Sequence, residues 1–348
     1  MGERLLNWTV EEVPQLRGYQ IEWAGPEDFY LSRSNSLFHT KSLSRPFNKI
    51  AVIDAPFWKT AVSHFRPAQR LLRFLVTNVI PLTNGDIFVT FDKSAGIVRN
   101  GKYLELKGLI RPCRVLRSAC AVDSSGNVFF GEYLANDERG EMRVYKYVPG
   151  KDIVTVVYSF PPNSIKHIHG IYFDPFTGSI FCLTGDDESE CRIIRSHDEF
   201  KTFDIVGEGD ETWRAVSLLF DDKSIFFGMD AEFRSNHIYR LDRVTNERTS
   251  LGEVSGTVFY SKQIGADLFF ATTAENAPSQ TENVAALWNA DADGNLTEVT
   301  RFKKDRWHPT LFMFGTIHFP YANHFEDTLY FSLVGVEQDN RTFRITAK

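Results

Sequence analysis

The stretch Gly170-Ile171-Tyr172-Phe173-Asp174-Pro175-Phe176-Thr177-Gly178-Ser179-Ile180-Phe181 reads as two apolar strands joined by a tight turn. Asp-Pro and Thr-Gly punctuate the turn, and the runs on either side are rich in Ile, Tyr and Phe, which suit a pleated, buried surface. Its second half, a turn followed by an apolar triplet with an aromatic, returns along the chain. It appears as Gly85-Asp86-Ile87-Phe88, Gly126-Asn127-Val128-Phe129, Gly178-Ser179-Ile180-Phe181, Lys223-Ser224-Ile225-Phe226 and Ala266-Asp267-Leu268-Phe269. Glu326-Asp327-Thr328-Leu329-Tyr330 is a weaker copy and Glu27-Asp28-Phe29-Tyr30 a further one. The five clear copies are 41, 52, 45 and 43 residues apart, the length of a four-stranded propeller blade.

Two further strands follow the hairpin in the better-preserved units, for example Cys191-Arg192-Ile193-Ile194-Arg195 with Thr202-Phe203-Asp204-Ile205-Val206. The fold expected is therefore all-β: a single β-propeller domain over residues 1–348 with four-stranded blades, seven by this count and six as the alternative. The segment up to about residue 73 fits the period poorly and is expected to be irregular. Within it, Ala55 to Arg73, with Pro56 and Pro67, reads as a long loop or short helix. A C-terminal strand around Arg341-Thr342-Phe343-Arg344-Ile345 is expected to close the ring by completing the first blade.

Composition narrows the function. Of 348 residues 14% are aromatic, and the formal net charge is −6 with both signs interspersed. No broad cationic field is available to a phosphate backbone, so nucleic acid is not an expected partner. No run approaches a membrane span, and Met1 to Trp8 lacks the apolar core of a signal peptide. The expected location is the cytoplasm, or outside the cell without a Sec signal. Cys113, Cys120, Cys182 and Cys191 fit no zinc spacing and read as unpaired structural thiols. There is no Walker loop, dinucleotide fingerprint, HExxH, GxSxG or CxxC, which disfavours phosphoryl transfer, nicotinamide chemistry and serine hydrolysis.

In a propeller the starts of the innermost strands and the ends of their hairpin partners share one face around the axis. Starts contribute Arg117, His167, His169, Trp213, Arg214 and His318; ends contribute Glu132, Tyr133, Asp186 and Asp230, with Arg139 in the loop after Tyr133. Strand alternation puts His167 and His169 on one side with Ile168 opposite. Such a pair can hold a divalent metal, Ca²⁺ or Zn²⁺, together with Asp186 or Glu132, or transfer a proton near neutral pH. Asp186, Glu132 and Tyr133 are the other candidates for catalysis. Arg214 and Arg117 suit a bidentate clamp on a carboxylate, Trp213 a sugar platform, and Arg139, Asp230 and His318 further substrate contacts. Each also has an ordinary structural reading, as an inter-blade ion pair or as packing.

The octet Ser196-His197-Asp198-Glu199-Phe200-Lys201-Thr202-Phe203 resembles the Asp-box, S-x-D-x-G-x-T-W, of sialidase-like and BNR-repeat propellers. Ser196, Asp198, Thr202 and Phe203 match, whereas Phe200 stands where the pattern has glycine. The resemblance implies a propeller whose Asp-box is a structural turn on the outer hairpin of a blade, remote from chemistry. It supplies no catalytic set that can be carried over residue by residue. The function expected is recognition and cleavage of an acidic oligo- or polysaccharide, by a glycosidase or a polysaccharide lyase. The alternatives are a non-catalytic glycan- or protein-binding propeller and a metal-dependent lactonase-type hydrolase.

Overall fold

The computed structural model describes residues 8–348, and seven sheets arranged as blades make up a seven-bladed β-propeller, antiparallel throughout except where Ala322–Asn323 adds a short parallel strand to the first. Met1 to Asn7, where most of the signal-peptide reading falls, lie outside the described residues. Blades 1 to 6 span residues 20–52, 76–105, 120–160, 167–208, 215–254 and 258–303, each with four consecutive strands A to D. Blade 7 takes strands A to C from Thr316–His318, Thr328–Val334 and Thr342–Ala347, and its outermost strand from Trp8–Glu12. The A strands of blades 3 to 6 lie against one another and line the axis.

All seven copies of the turn-plus-triplet pattern open a B strand, the two weak ones included: Phe29–Arg33 in blade 1 and Thr328–Val334 in blade 7. The B strands are nearly solid apolar runs because both of their faces are covered. Ile87–Phe91, Val128–Gly131, Ser179–Gly185 and Ser224–Met229 are buried at every position. The core is accordingly divided into seven clusters, one at each junction between neighbouring blades.

Two expectations are corrected. Residues before 73 are not irregular throughout: 20–52 form a complete blade, whose B strand opens at the weak copy Glu27-Asp28-Phe29-Tyr30. Only the segment after it is helical and looped, with α1 (Phe57–Val62) and α2 (Arg66–Leu71). Ring closure also runs the other way. The N-terminal strand completes the last blade, pairing Val10 with Ile345, while Thr342–Ala347 stays in blade 7. Trp8 seals that junction edge-on against Phe269, centroids 5.0 Å apart, and its indole N–H donates to Asn289 Oδ1 at 3.2 Å.

The octet at 196–203 connects the two outer strands of blade 4, as its resemblance implies. Asp198 Oδ1 accepts from Thr202 N at 2.9 Å, and Ser196 Oγ accepts from Phe200 N at 2.8 Å. Phe200 has φ of +66°, a left-handed conformation that explains a glycine at this place in the pattern. Its ring is 2% exposed within the junction of blades 3 and 4. All four cysteines are buried and unpaired. Among the described residues no helix is long and apolar enough to cross a membrane.

Candidate functional site

The A strand of blade 4, His167–Asp174, opens with a β-bulge: Ile168 pairs with Thr184 and Gly170 with Leu183, so His169 is the extra residue. A bulge re-aims side chains, and here it brings both imidazoles to the axial side while Ile168 turns into the junction with blade 3. Ile168 fits because position 131 is glycine; a Cβ there would stand 2.4 Å from Ile168 Cγ2. The two Nε2 atoms are 3.2 Å apart. Each Nδ1 faces a backbone carbonyl, His167 that of Leu134 at 3.3 Å and His169 that of Ala215 in blade 5 at 3.0 Å.

Asp186 follows the B strand of the same blade. Its φ of +139° is one that L residues rarely adopt, a strain typical of residues held for a purpose. Oδ1 lies 3.2 Å from His167 Nε2, 3.3 Å from His169 Nε2 and 3.2 Å from Arg214 Nη2. Oδ2 lies 3.1 Å from Lys166 Nζ. Burial alone would raise the Asp186 carboxyl, but hydrogen bonds and charge from the two imidazoles hold it far below the usual carboxylate range. Burial pushes the His169 imidazole below its ordinary value, against the pull of Asp186.

Arg214 bridges two carboxylates, with Nε 3.0 Å from Asp230 Oδ2. Burial pushes the Asp230 carboxyl well up while the guanidinium draws it down. The Tyr133 ring sits 4.3 Å from that of His167, and burial, then the charges of Asp186 and Asp230, raise its phenol, so it is a proton donor rather than a phenolate. His167, His169, Asp186, Arg214, Asp230 and Tyr133 thus form one cluster. Lys166 and Arg214 reach the surface beside Asp186, with side chains 25%, 14% and 21% exposed.

The other candidates lie elsewhere. Glu132 faces away from the axis because it neighbours Tyr133 on an extended segment and alternation sends the two to opposite sides. It is fully buried in blade 3, accepting from Arg111 Nη2 at 2.6 Å, Tyr145 Oη at 2.8 Å and Arg143 N at 3.1 Å. Trp213 is half-buried and used in packing. It covers Gly207, stacks on Phe227 at 6.0 Å and carries the Arg248 guanidinium 4.2 Å from its ring. Arg117 is used internally, 2.7 Å from Glu22 Oε2, 2.9 Å from Gln20 Oε1 and 2.7 Å from Val76 O, which ties blade 3 to blades 1 and 2. His318 is buried against Tyr260 and bonded to Thr316 at 2.9 Å. Arg139 joins loops of blades 3 and 4 by pairing with Asp187 and Glu190 at the rim.

Two features of the site face were not singled out in the sequence. Lys166 stood beside His167 without a role, although its adjacency to the strand opening was a usable signal. The second is a cap. Arg66 of α2 pairs with Asp339 through two 2.9 Å hydrogen bonds, Arg70 with Asp305, and Arg73 Nη2 donates to Thr310 O at 3.1 Å in α3 (Pro309–Phe312). Asp339 and Asp92, the partner of Lys59 at 2.7 Å, both follow B strands, so these helices lie on the site face. Nothing in the local sequence around Arg73 signals that placement.

No protein-family model matches the chain, and no curated protein matches it. Its likeness is to solved structures that are propellers. An oligogalacturonate lyase in complex with manganese shares 9% identity at a TM-score of 0.59, over 98% of this chain and 90% of that one. YCF48 bound to a D1 peptide shares 10% at 0.57, over 100% and 97%. The extracellular domain of a protein classed as a one-component system in B. thetaiotaomicron shares 10% at 0.57, and the match covers 97% of this chain but only 39% of that one. These likenesses establish the propeller fold.

Proposed function

We propose that the site face binds an acidic saccharide and cleaves it by β-elimination. One observation carries this reading: Lys166 and Arg214 flank Asp186 at the surface, with two imidazoles and the Tyr133 phenol directly behind. Two cations that already meet one carboxylate, that of Asp186, suit a uronate carboxylate, whose neutralisation acidifies the C5–H bond. In the step, C5 gives its proton to an imidazole, the C–H electron pair becomes the C4=C5 double bond, and the C4–O bond breaks. The leaving oxygen then takes a proton from Tyr133 or a second imidazole. Hydrolysis would need two carboxylates free to flank the bond, whereas Asp186 and Asp230 share Arg214 and Glu132 faces away. An oligogalacturonate lyase, by its name an enzyme of uronate oligomers, stands on a similar scaffold.

The test follows ultraviolet absorbance of an unsaturated product and release of reducing ends from uronate polysaccharides, sialosides and neutral glycans, with and without added Mn²⁺, Zn²⁺ or Ca²⁺. Uronate substrates should give both signals together. Lys166→Ala should raise KM about tenfold through loss of one contact to the carboxylate, with an unchanged fold. Arg214→Lys should lower kcat/KM by about 10² because a point charge replaces the fork. Reducing ends without absorbance, turnover of neutral glycans alone, or wild-type kinetics in both variants would defeat the reading. Saccharide binding without turnover would favour the alternative, a binding propeller, for which the engagement of Arg214 by two carboxylates speaks.

A further inference from the structure

We propose that His167 Nε2, His169 Nε2 and a carboxylate oxygen of Asp186 form a binding site for one divalent transition-metal ion. This goes beyond the saccharide reading and does not rest on it, although an ion held there would take from the imidazoles the proton-accepting role assigned above. The first ground is shape. The three atoms make a nearly equilateral triangle with sides of 3.2, 3.2 and 3.3 Å. A tetrahedral ion with bonds of about 2.0–2.1 Å to imidazole and carboxylate holds its ligand atoms about 3.3–3.4 Å apart. The side chains are already spaced to share one ion, and the three belong to one group of ligand atoms close enough to do so.

The second ground is the direction of the lone pairs. A carbonyl oxygen only accepts, so the contacts to Leu134 O and Ala215 O place the hydrogen of each ring on Nδ1. A neutral imidazole in that tautomer offers a bare electron pair at Nε2. The pairs of His167 and His169 then point at each other and at the Asp186 oxygen, and only a proton on an Nε2 or a cation relieves the three facing acceptors. Arg214 and Lys166 donate to Asp186 but to neither imidazole. A cation in the triangle satisfies all three at once, and carbonyl-anchored Nδ1 atoms are the usual support of metal-binding histidines. Both rings are nearly sealed, 4% and 2% exposed, so water cannot take the place of the missing partner on every side.

The third ground concerns which ion. Two imidazoles and one carboxylate favour Zn²⁺, Mn²⁺, Fe²⁺ or Ni²⁺ over Ca²⁺, which takes six to eight oxygens. Three protein ligands leave at least one position open, and it faces solvent where Asp186 is exposed. Lys166 and Arg214 weaken the site by repulsion and by holding the carboxylate, so removal of the exposed lysine should tighten it. That sign separates a metal site from a purely structural cluster, in which losing Lys166 would have no consequence for metal.

The experiment uses the full chain, freed of any tag and treated with chelator. Mn²⁺ is titrated by electron paramagnetic resonance and Zn²⁺ by calorimetry, in the absence of saccharide. The expected result is one ion per chain, with nitrogen hyperfine coupling from two imidazoles on bound Mn²⁺. His169→Ala and Asp186→Asn should each weaken binding at least tenfold, and Lys166→Ala should strengthen it several-fold. Should His169→Ala fail to fold, Asp186→Asn, which keeps the shape, decides alone. Binding without nitrogen coupling, binding of Ca²⁺ in preference to Zn²⁺, affinity unchanged in Asp186→Asn, or no stoichiometric binding would overturn the proposal and leave an imidazolium–carboxylate pair. Ion binding and proton acceptance by the same imidazoles exclude each other, so turnover is measured separately in ion-free and loaded protein, and failure of one reading is distinguishable from failure of the other.

Discussion

At Phe200 the side chain and the backbone want different residues, and a pair of substitutions separates the two demands. The ring is buried among Met142, Val144, Phe160 and Ile194, while the backbone sits at φ +66°. Truncating a buried phenylalanine to alanine costs about 3–5 kcal/mol in lost burial and cavity. Alanine keeps the left-handed strain, worth about 1–2 kcal/mol in an L residue, whereas glycine removes it. Glycine gives back about 0.4–1 kcal/mol through greater freedom of the unfolded chain. Phe200→Gly should therefore be destabilised by about 2–4 kcal/mol yet be more stable than Phe200→Ala by about 0.5–1 kcal/mol, the reverse of the usual order. Urea unfolding of the wild type and both variants, compared at equal m-values, measures it. If alanine is the more stable of the two, the backbone strain assigned to this turn is wrong.

Two other outcomes follow from buried contacts. Gly131→Ala should drive a Cβ into Ile168 and cost about 1–3 kcal/mol, weakening metal binding by shifting the imidazoles on either side; adding Ile168→Ala should restore binding, and its failure to do so would show the glycine has no part in aiming them. His318 faces Tyr260 and Thr316, with the charges of Arg117 and Arg66 near it, and burial holds its imidazole well below its ordinary 6.5. The unfolded chain then binds the proton that the folded one refuses, so stability is intact above pH 6.5 and falls as pH drops below it. Between pH 7.5 and 5.5 the wild type should lose about 1.4 kcal/mol more than His318→Asn, and parallel stability profiles would refute this.

The sequence by itself determined the repeat. Turn chemistry and B strands buried on both faces are local properties, written as punctuation and apolar runs, so all seven hairpins were legible, down to the weak copies at Phe29 and Thr328. It also placed His167, His169, Asp186, Asp230, Tyr133 and Arg214 together, because strand starts and partner strand ends share a face whatever the packing. What it left open depends on partners distant in the chain. The strand that closes the ring, the burial of Arg117 against Glu22 and Gln20, and the bond from Arg73 to Thr310 are set by contacts with no local trace. Glu132 and Trp213 read as site residues by position, yet adjacent side chains on extended backbone point opposite ways. Only the tertiary structure says which of them meets the axis and which meets the neighbouring blade.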